Sequence, residues 1–279
     1  MRGWWREIRG LVLPGACEGC GAPRTGLCEG CAGALAGGEG GGGEGGGPPA
    51  WRVRPSPEPA GLPVVHAAVA YDGVVRELLL AHKERGALGL AGVLGGALAR
   101  AVEASVDGSG ERSLLLVPVP SSRRAVRARG HDPTRRVALA AAARLRREGR
   151  AARVLPVLRQ RRAVADQAGL GARERRANLA GALELVPGGA RALRAGRVVL
   201  VDDLMTTGAT LAEAARALGA VHSPFTPGPL VPGAAGRSPA DFAQHEFEQR
   251  VAAVIASSPA SFEINRNSSE TWIVAGGER

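Results

Sequence analysis

The stretch 198–210, VVLVDDLMTTGAT, joins an apolar run to two carboxylates and then to a turn rich in threonine and glycine. The next residues, LAEAARAL, are typical of a helix, so the turn would offer unpaired backbone N–H groups and the positive end of a helix dipole. Gly208 permits a tight turn, and the hydroxyls of Thr206, Thr207 and Thr210 add donors. We predict that this turn binds a phosphate group.

Asp202 and Asp203 cannot bind the same phosphate, because like charges a few ångströms apart repel each other. A vicinal diol suits them, since a carboxylate can accept two hydrogen bonds from it. A divalent cation also suits them if phosphates supply further ligands. Phosphate, diol and metal together describe a ribose 5-phosphate.

Other nucleotide motifs fit this chain less well. It has no GxxxxGK[ST] sequence and no GxGxxG after a strand. The two acids could instead form the metal-bound acceptor site of a phosphotransfer receiver, but the Thr-Thr-Gly-x-Thr sequence has no role there. An ordinary strand–turn–helix with polar turn residues is the third alternative.

Four cysteines, Cys17, Cys20, Cys28 and Cys31, form the pattern CxxC–x7–CxxC. Four thiolates at this spacing are the ligand set of a tetrahedral Zn²⁺ site, which would be structural because no coordination position stays open. A redox pair is the alternative, although nothing resembling a thioredoxin unit surrounds it. Because a glycine tract follows, we expect this element to act as a docking or nucleic-acid contact more than as a stabiliser of the N-terminus.

Basic residues mark two further candidate sites. Ser121, Ser122 and Arg123 follow an apolar run and could bind pyrophosphate, whereas Arg124 and Arg127 are better explained as a solvated helix face.

Lys83 is the sole lysine among 36 basic residues, which suggests a point-charge contact with a phosphate. The polar segment 159–179 resembles a mobile flap that carries Arg162 and Gln167 over the pyrophosphate. His131 is more typical of a turn or surface histidine than of a catalytic base.

Apolar runs alternate with helical runs from about residue 62 onward, which predicts an α/β domain with a mainly parallel sheet. Ligands of such sheets bind at the carboxyl ends of the strands, where DDLMTTGAT falls. The predicted strands are 64–71, 113–120, 154–158, 182–186, 198–204 and 251–257. The predicted helices are 73–86, 90–103, 134–149 and 210–220.

Composition divides the 279 residues into parts. We predict a zinc-binding element at 1–36, a Gly/Pro-rich linker at 37–61, a main domain at 62–260 with a loop-like insertion at 222–250, and a polar tail at 261–279. The sequence contains no run of 18 or more apolar residues, so no membrane span is predicted. The N-terminus makes a poor signal peptide, and we therefore expect a cytoplasmic protein.

The formal net charge of +10 suggests polyanionic partners such as nucleic acid, but an arginine-rich composition bias of the genome would give the same charge. Aromatic residues make up only 3% of the chain, so stacking platforms for single-stranded DNA are scarce.

The stretch 198–210 resembles the 5-phosphoribosyl-1-pyrophosphate (PRPP) motif of the type I phosphoribosyltransferases. That resemblance implies that Asp202 and Asp203 hold the ribose hydroxyls. It also implies that a five-residue loop wraps the 5-phosphate, namely Thr206, Thr207, Gly208, Ala209 and Thr210.

The segments 71–86, 117–138 and 159–183, preceded by the CEGC…CEGC element, follow in the order seen in the ComF family of competence-associated proteins. This chain departs from the family at His131-Asp132-Pro133, where members often carry Phe-Asn-Gln, and at the insertion 222–250. The resemblance implies a type I phosphoribosyltransferase-like fold and an association with DNA uptake.

The expected ligand is PRPP with Mg²⁺, and the expected reaction displaces pyrophosphate from C1, with Asp202, Asp203, Lys83 and Arg123 as the working residues. The acceptor is unidentified. One alternative is a non-catalytic phosphate-binding module whose zinc element and basic surface bind single-stranded DNA or a protein of the competence machinery. Another places a phosphate end of DNA in the anion loop.

Overall fold

The computed structural model describes residues 15–37, 50–106, 112–162, 179–219 and 251–263. Six strands form the main sheet in the order β1-β2-β8-β7-β3-β4, and β5 and β6 form a separate antiparallel pair. Within the main sheet only β1 runs antiparallel to its neighbour. The strands are β1 Trp51–Val53, β2 Val64–Ala70, β3 Leu114–Pro118, β4 Ala152–Val154, β5 Leu158–Gln160, β6 Leu183–Leu185, β7 Arg197–Met205 and β8 Val251–Ser257.

Helices flank this sheet, as the alternation of apolar and helical runs predicts. Every residue of β3 and β8 is buried, which explains why these strands are continuous apolar runs rather than alternating ones. The helices are α1 Glu29–Ala36, α2 Gly73–Glu84, α3 Ala91–Ser105, α4 Arg123–Arg129, α5 Pro133–Arg147, α6 Gly189–Leu193, α7 Ala209–Gly219 and α8 Pro259–Glu263, with a 3-10 turn at Leu88–Leu90. The predicted α/β class with a mainly parallel, helix-flanked sheet is confirmed.

Two predicted strands have a different place in the fold. The run 154–158 is not one strand: β4 ends at Val154 and β5 begins at Leu158. Pro156 lies between them and lacks the N–H that a sheet interior requires. The run 182–186 does form β6, but β6 pairs with β5 and takes no part in the main sheet.

The segment 37–61, interpreted from its composition as a linker, contains β1. Trp51 and Val53 pair with Ala67 and Val65 of β2, so this part of the segment extends the sheet. At the other end of the chain, the first residues of the predicted polar tail complete α8. The stretch 38–49 and the insertion 222–250 lie outside the described residues.

The helical segment Leu88–Ser105 is the one segment of the described residues that is long and apolar enough to cross a membrane. More than half of it is buried inside the protein, where it packs on β2, β8 and α5. This is the environment of a core helix, so it gives only weak evidence for a membrane span.

The contact between α3 and α5 depends on a residue without a side chain. A Cβ atom on Gly95 would lie 2.5 Å from the Cβ of Ala140 and 2.9 Å from its carbonyl carbon. Backbone atoms cannot give way as a flexible side chain can, so the two helices approach this closely only because residue 95 is glycine.

We therefore expect Gly95→Ala to lower the free energy of unfolding by about 1–3 kcal/mol through overpacking. Gly96→Ala, in the same helix, is the matched control because a Cβ there meets no atom within 4 Å. That variant should gain about 0.5–1 kcal/mol from reduced backbone entropy of the unfolded chain. Urea denaturation measures both, and equal stability of the two variants would contradict the close helix contact.

Candidate functional site

The two acidic residues of the motif lie inside the last part of β7 rather than in the loop beyond it. β7 is a central strand, flanked by β3 and β8, and Val201 pairs with Pro118 of β3. Because both strands are parallel, the segment after β3, which contains Ser121, comes to the same edge of the sheet as Asp202 and Asp203. The fold thus brings together the two segments predicted to bind a phosphorylated sugar.

The turn between β7 and α7 has the geometry expected of an anion-binding loop. Gly208 has a φ of +72°, in the left-handed region, and a Cβ there would lie 2.9 Å from the Cδ1 of Leu62. The first helical hydrogen bond runs from the N–H of Ala212 to the carbonyl of Gly208 at 2.9 Å, which leaves the N–H groups of Thr210 and Leu211 without intrahelical partners.

The side chains of the turn differ in how accessible they are. Thr206 is exposed, Thr207 and Thr210 are half-buried, and Gly208 and Ala209 are buried. The hydroxyl of Thr207 accepts a hydrogen bond from the N–H of Ala209 at 3.5 Å, which orders the entry to the helix.

Lys83 lies beside the acidic pair. Its Nζ donates to Oδ2 of Asp203 at 2.7 Å, with 35% of the Lys83 side chain exposed and 10% of the Asp203 side chain. Burial opposes the charge of Lys83, but the carboxylates of Asp203 and Asp202 outweigh it and raise the pKa of the ammonium. The structure therefore places the sole lysine at the site, where its partner is a carboxylate.

The pKa values of the two neighbouring carboxyl groups are shifted in opposite directions. Burial and the negative charge of Asp203 raise the pKa of Asp202 well above its usual range. Burial also works against the charge of Asp203, but Lys83 holds the pKa of that carboxyl below its usual value. One ammonium group thus lies beside two acids. A further hydrogen-bond donor or a cation would favour the ionised form of Asp202 and lower its pKa.

Asp202 has few protein contacts of its own. Its Oδ1 accepts from the N–H of Asp203 at 2.8 Å, and its carboxyl group also interacts with the carboxylate of Asp203. Its half-buried side chain therefore retains acceptor capacity that a ligand can use.

The loop after β3 is ordered by its own serines. Ser122 caps α4 by accepting from the N–H of Ala125 at 3.1 Å. Ser121 donates from Oγ to Oδ1 of Asp132 at 3.4 Å, and Asp132 in turn caps α5. Arg123 is exposed at the start of α4.

Arg162 contacts the chain just before β6. Its Nη2 donates to the carbonyl of Ala180 at 2.9 Å, and the guanidinium is exposed. Gln167, the other predicted flap residue, lies outside the described residues.

The four cysteines form one cluster. Their sulfur atoms all lie within 4.8 Å of one another, and the Sγ atoms of Cys20 and Cys28 are 3.5 Å apart. A tetrahedral zinc site with Zn–S bonds of about 2.3 Å has sulfurs about 3.8 Å apart, so the cluster could hold such an ion.

The two buried sulfurs of this cluster differ in acidity. Burial works against the thiolate of Cys17, but hydrogen bonds from backbone N–H groups lower its pKa to about 6. Burial and the neighbouring sulfurs raise the pKa of Cys31. The backbone thus already favours a thiolate at Cys17, the form that binds a metal.

The cysteine element packs on the main domain instead of standing free on its linker. Cys17, Cys31 and Leu35 belong to the same hydrophobic core as α2 and α3. Arg100 of α3 donates to the carbonyl of Leu35 at 2.6 Å. The element is thus part of the domain core, through contacts with helices that are distant from it in sequence.

Contacts at the last turn of α2 were not anticipated from the sequence. The ring of His82, 2% exposed, lies edge-on to that of His131 with centroids 6.0 Å apart. Burial lowers the pKa of His82 to about 4, so its ring is neutral near pH 7. His131, interpreted as a surface histidine, is half-buried against this ring. The one sequence feature that pointed to a role for His82 is its position next to Lys83 in AHKERG.

Comparisons with known proteins identify no relative: no protein-family model matches the chain, and no sufficiently similar sequence was found among curated proteins.

We expect the purified protein to bind one Zn²⁺ per chain and to lose about 3 kcal/mol or more of unfolding free energy on its removal, because Cys17 and Cys31 lie in the domain core. Cys28→Ser should act like a chelator, whereas Glu29→Gln, the exposed neighbour, should change nothing. Metal analysis and thermal unfolding test this, and unchanged stability without metal would contradict the packing described.

The acidic pair should show opposite effects on stability near neutral pH. Asp203→Asn removes the partner of Lys83 and should cost about 1–2 kcal/mol, a value reduced by the exposure of the ammonium. A raised pKa means that wild-type stability falls as pH rises through it, so Asp202→Asn should be neutral or stabilising above that pH. Denaturant unfolding from pH 5 to 9 measures both, and equal losses would contradict the assignment.

Proposed function

We propose that this protein binds PRPP together with Mg²⁺ at the carboxyl edge of β7 and transfers its phosphoribosyl group to an acceptor. The observation that carries the proposal is a carboxylate pair, with Asp203 buried and Asp202 half-buried, that has one ammonium and lies directly before a glycine turn and the unpaired amides of a helix. A ligand with a hydroxyl pair and a phosphate complements both parts. The type I phosphoribosyltransferase-like fold belongs to the same proposal.

In this proposal Asp202 and Asp203 accept hydrogen bonds from the ribose hydroxyls. Asp202 has free acceptor capacity, and Lys83 keeps Asp203 ionised so that it can also accept. The turn Thr206, Thr207, Gly208, Ala209 and Thr210 binds the 5-phosphate through backbone N–H groups and hydroxyls.

The pyrophosphate side of the site is formed by the loop after β3. Ser121 and Ser122 are ordered by hydrogen bonds, and exposed Arg123 adds a positive charge. Departure of pyrophosphate from C1 leaves an oxocarbenium-like sugar, so catalysis requires stabilisation of charge on the leaving group more than a strong base. Lys83 contributes by setting the charge of Asp203 and by adding positive potential beside the sugar.

The residues fit Mg²⁺ under one condition. Lys83 already neutralises Asp203, so Asp202 is the carboxylate of the pair that lacks a cation among the described residues. Magnesium retains several waters and usually takes one or two carboxylates together with substrate phosphates. Asp202 would therefore hold the ion only together with the diphosphate, and the ion would neutralise the charge of the diphosphate.

A non-catalytic module that binds PRPP or a related phosphate uses the same residues, and turnover separates the two functions. Association with DNA uptake, single-stranded DNA or a competence partner, and a cytoplasmic location, are proposed from the family resemblance and the +10 charge. The packing of the cysteine element on α2 and α3 favours a structural role for the metal in either case.

We expect titration calorimetry to show PRPP binding in the presence of Mg²⁺ and its loss in the double variant Asp202→Asn with Asp203→Asn. Affinity should increase as pH rises through the raised pKa of Asp202, because the ionised carboxylate accepts the hydroxyl hydrogen bonds.

Glu148→Gln is the control, since it removes a carboxylate at the far end of α5. Unchanged PRPP affinity in the double variant would refute the site. Pyrophosphate release with a panel of nucleobases then decides between enzyme and binding module.

A further inference from the structure

Three consecutive residues at the end of α2 contact two regions, the acidic pair and the chain around the end of α4. The ring of His82 meets that of His131, Lys83 pairs with Asp203, and Glu84 pairs with Arg129. The Lys83 contact belongs to the acidic pair described above. The other two reach Arg129, the last residue of α4, and His131, in the turn between α4 and α5, and neither is used by the proposed function.

The contact between Glu84 and Arg129 is bidentate. Nε of Arg129 donates to Oε2 of Glu84 at 3.0 Å, and Nη2 donates to Oε1 at 2.5 Å. The Arg129 side chain is 20% exposed and the Glu84 side chain 47%, so the guanidinium is partly shielded from solvent while the carboxylate is not. His131 adds a second attachment, since its Nδ1 lies 3.2 Å from the carbonyl of Arg129 and its ring packs on buried His82.

These contacts matter because, in the part of the chain that the structure describes, α4 has no buried residue to anchor it in the core. None of its seven residues, Arg123–Arg129, is buried, so hydrophobic packing does not fix its position. Its beginning is tied to the start of α5 through Ser121 and Asp132. Its end is tied to α2 through Arg129 and the adjacent His131.

We propose that the Glu84–Arg129 ion pair and the His82–His131 ring contact, here called the α2–α4 latch, position the serine–arginine loop for pyrophosphate. This inference builds on the proposed function. The latch holds α4 on the helix that carries Lys83, and thereby fixes Ser121, Ser122 and Arg123 relative to the acidic pair. These latch side chains are positioning residues and need not touch the ligand.

The position of the latch predicts a selective effect. The loop after β3 would bind the pyrophosphate group, whereas the β7–α7 turn would bind the 5-phosphate. Loss of the latch should therefore weaken binding of pyrophosphate and leave binding of ribose 5-phosphate unchanged. A general loss of stability would weaken the binding of both ligands to the same extent.

The test compares Glu84→Ala with Glu77→Ala, which lies on the same helix and pairs with exposed Arg85. Calorimetry with Mg²⁺ and inorganic pyrophosphate should show about two- to fivefold weaker binding for Glu84→Ala only. Ribose 5-phosphate should bind both variants like the wild type. The charge swap Glu84→Arg with Arg129→Glu should restore most of the pyrophosphate affinity.

Hydrogen exchange gives a ligand-independent measurement. Glu84→Ala should accelerate amide exchange in residues 121–130, and Glu77→Ala should not. Unchanged exchange there, or equal weakening of pyrophosphate and ribose 5-phosphate, would overturn the latch. Failure of the wild type to bind either ligand would instead refute the proposed function, while the exchange data still decide whether the latch holds α4.

Discussion

The candidate site depends on an imbalance of charge at the end of β7. Two adjacent carboxyl groups share one ammonium group, that of Lys83, which lies 2.7 Å from Asp203. Because burial disfavours ionisation of both acids, the folded protein keeps Asp203 charged and resists ionisation of Asp202. Burying two carboxyl groups with one ammonium costs stability unless a ligand adds a further partner. Carboxyl groups with perturbed pKa values of this kind are concentrated at functional sites.

The fold supports this imbalance by placing it on a rigid element. β7 is held between two parallel strands, and its residues Val199, Leu200 and Val201 are fully buried. The acids therefore stand on a strand that cannot shift, while the anion loop beyond them turns at Gly208 against Leu62. The sheet thus fixes the position of the two acids, and the N-terminus of the helix that follows can accommodate an anion.

Local sequence patterns predicted those parts of the structure that are local in origin. The apolar runs of β3, β7 and β8, the helices α2, α3, α5 and α7 and the grouping of the four cysteines each follow from neighbouring residues, and the structure confirms them. The acidic pair and the turn at Gly208 were found for the same reason.

What the sequence did not predict depends on contacts between distant segments. Lys83 and Asp203 are 120 residues apart, and His82 meets His131 across 49 positions of chain that no periodicity relates. β1 was missed because three residues in a Pro-rich segment give too short a pattern, and their pairing with β2 is what makes them a strand. The division of 154–158 follows from Pro156, whose effect was outweighed by the apolar residues around it.

The central position of α2 gives the cysteine element a reason to lie where it does. Leu78 of α2 packs beside Gly19 and Cys31, and Arg85 donates to the carbonyl of Glu18 at 3.4 Å. Lys83 lies between these two residues in the chain, in the last turn of α2, and Arg85 directly follows the helix; the side chain of Lys83 is directed to the acidic pair. A metal held by the four sulfurs would therefore fix one side of α2 while the site occupies the other. In that case the cysteine element would act on the site through the helix that supplies its ammonium.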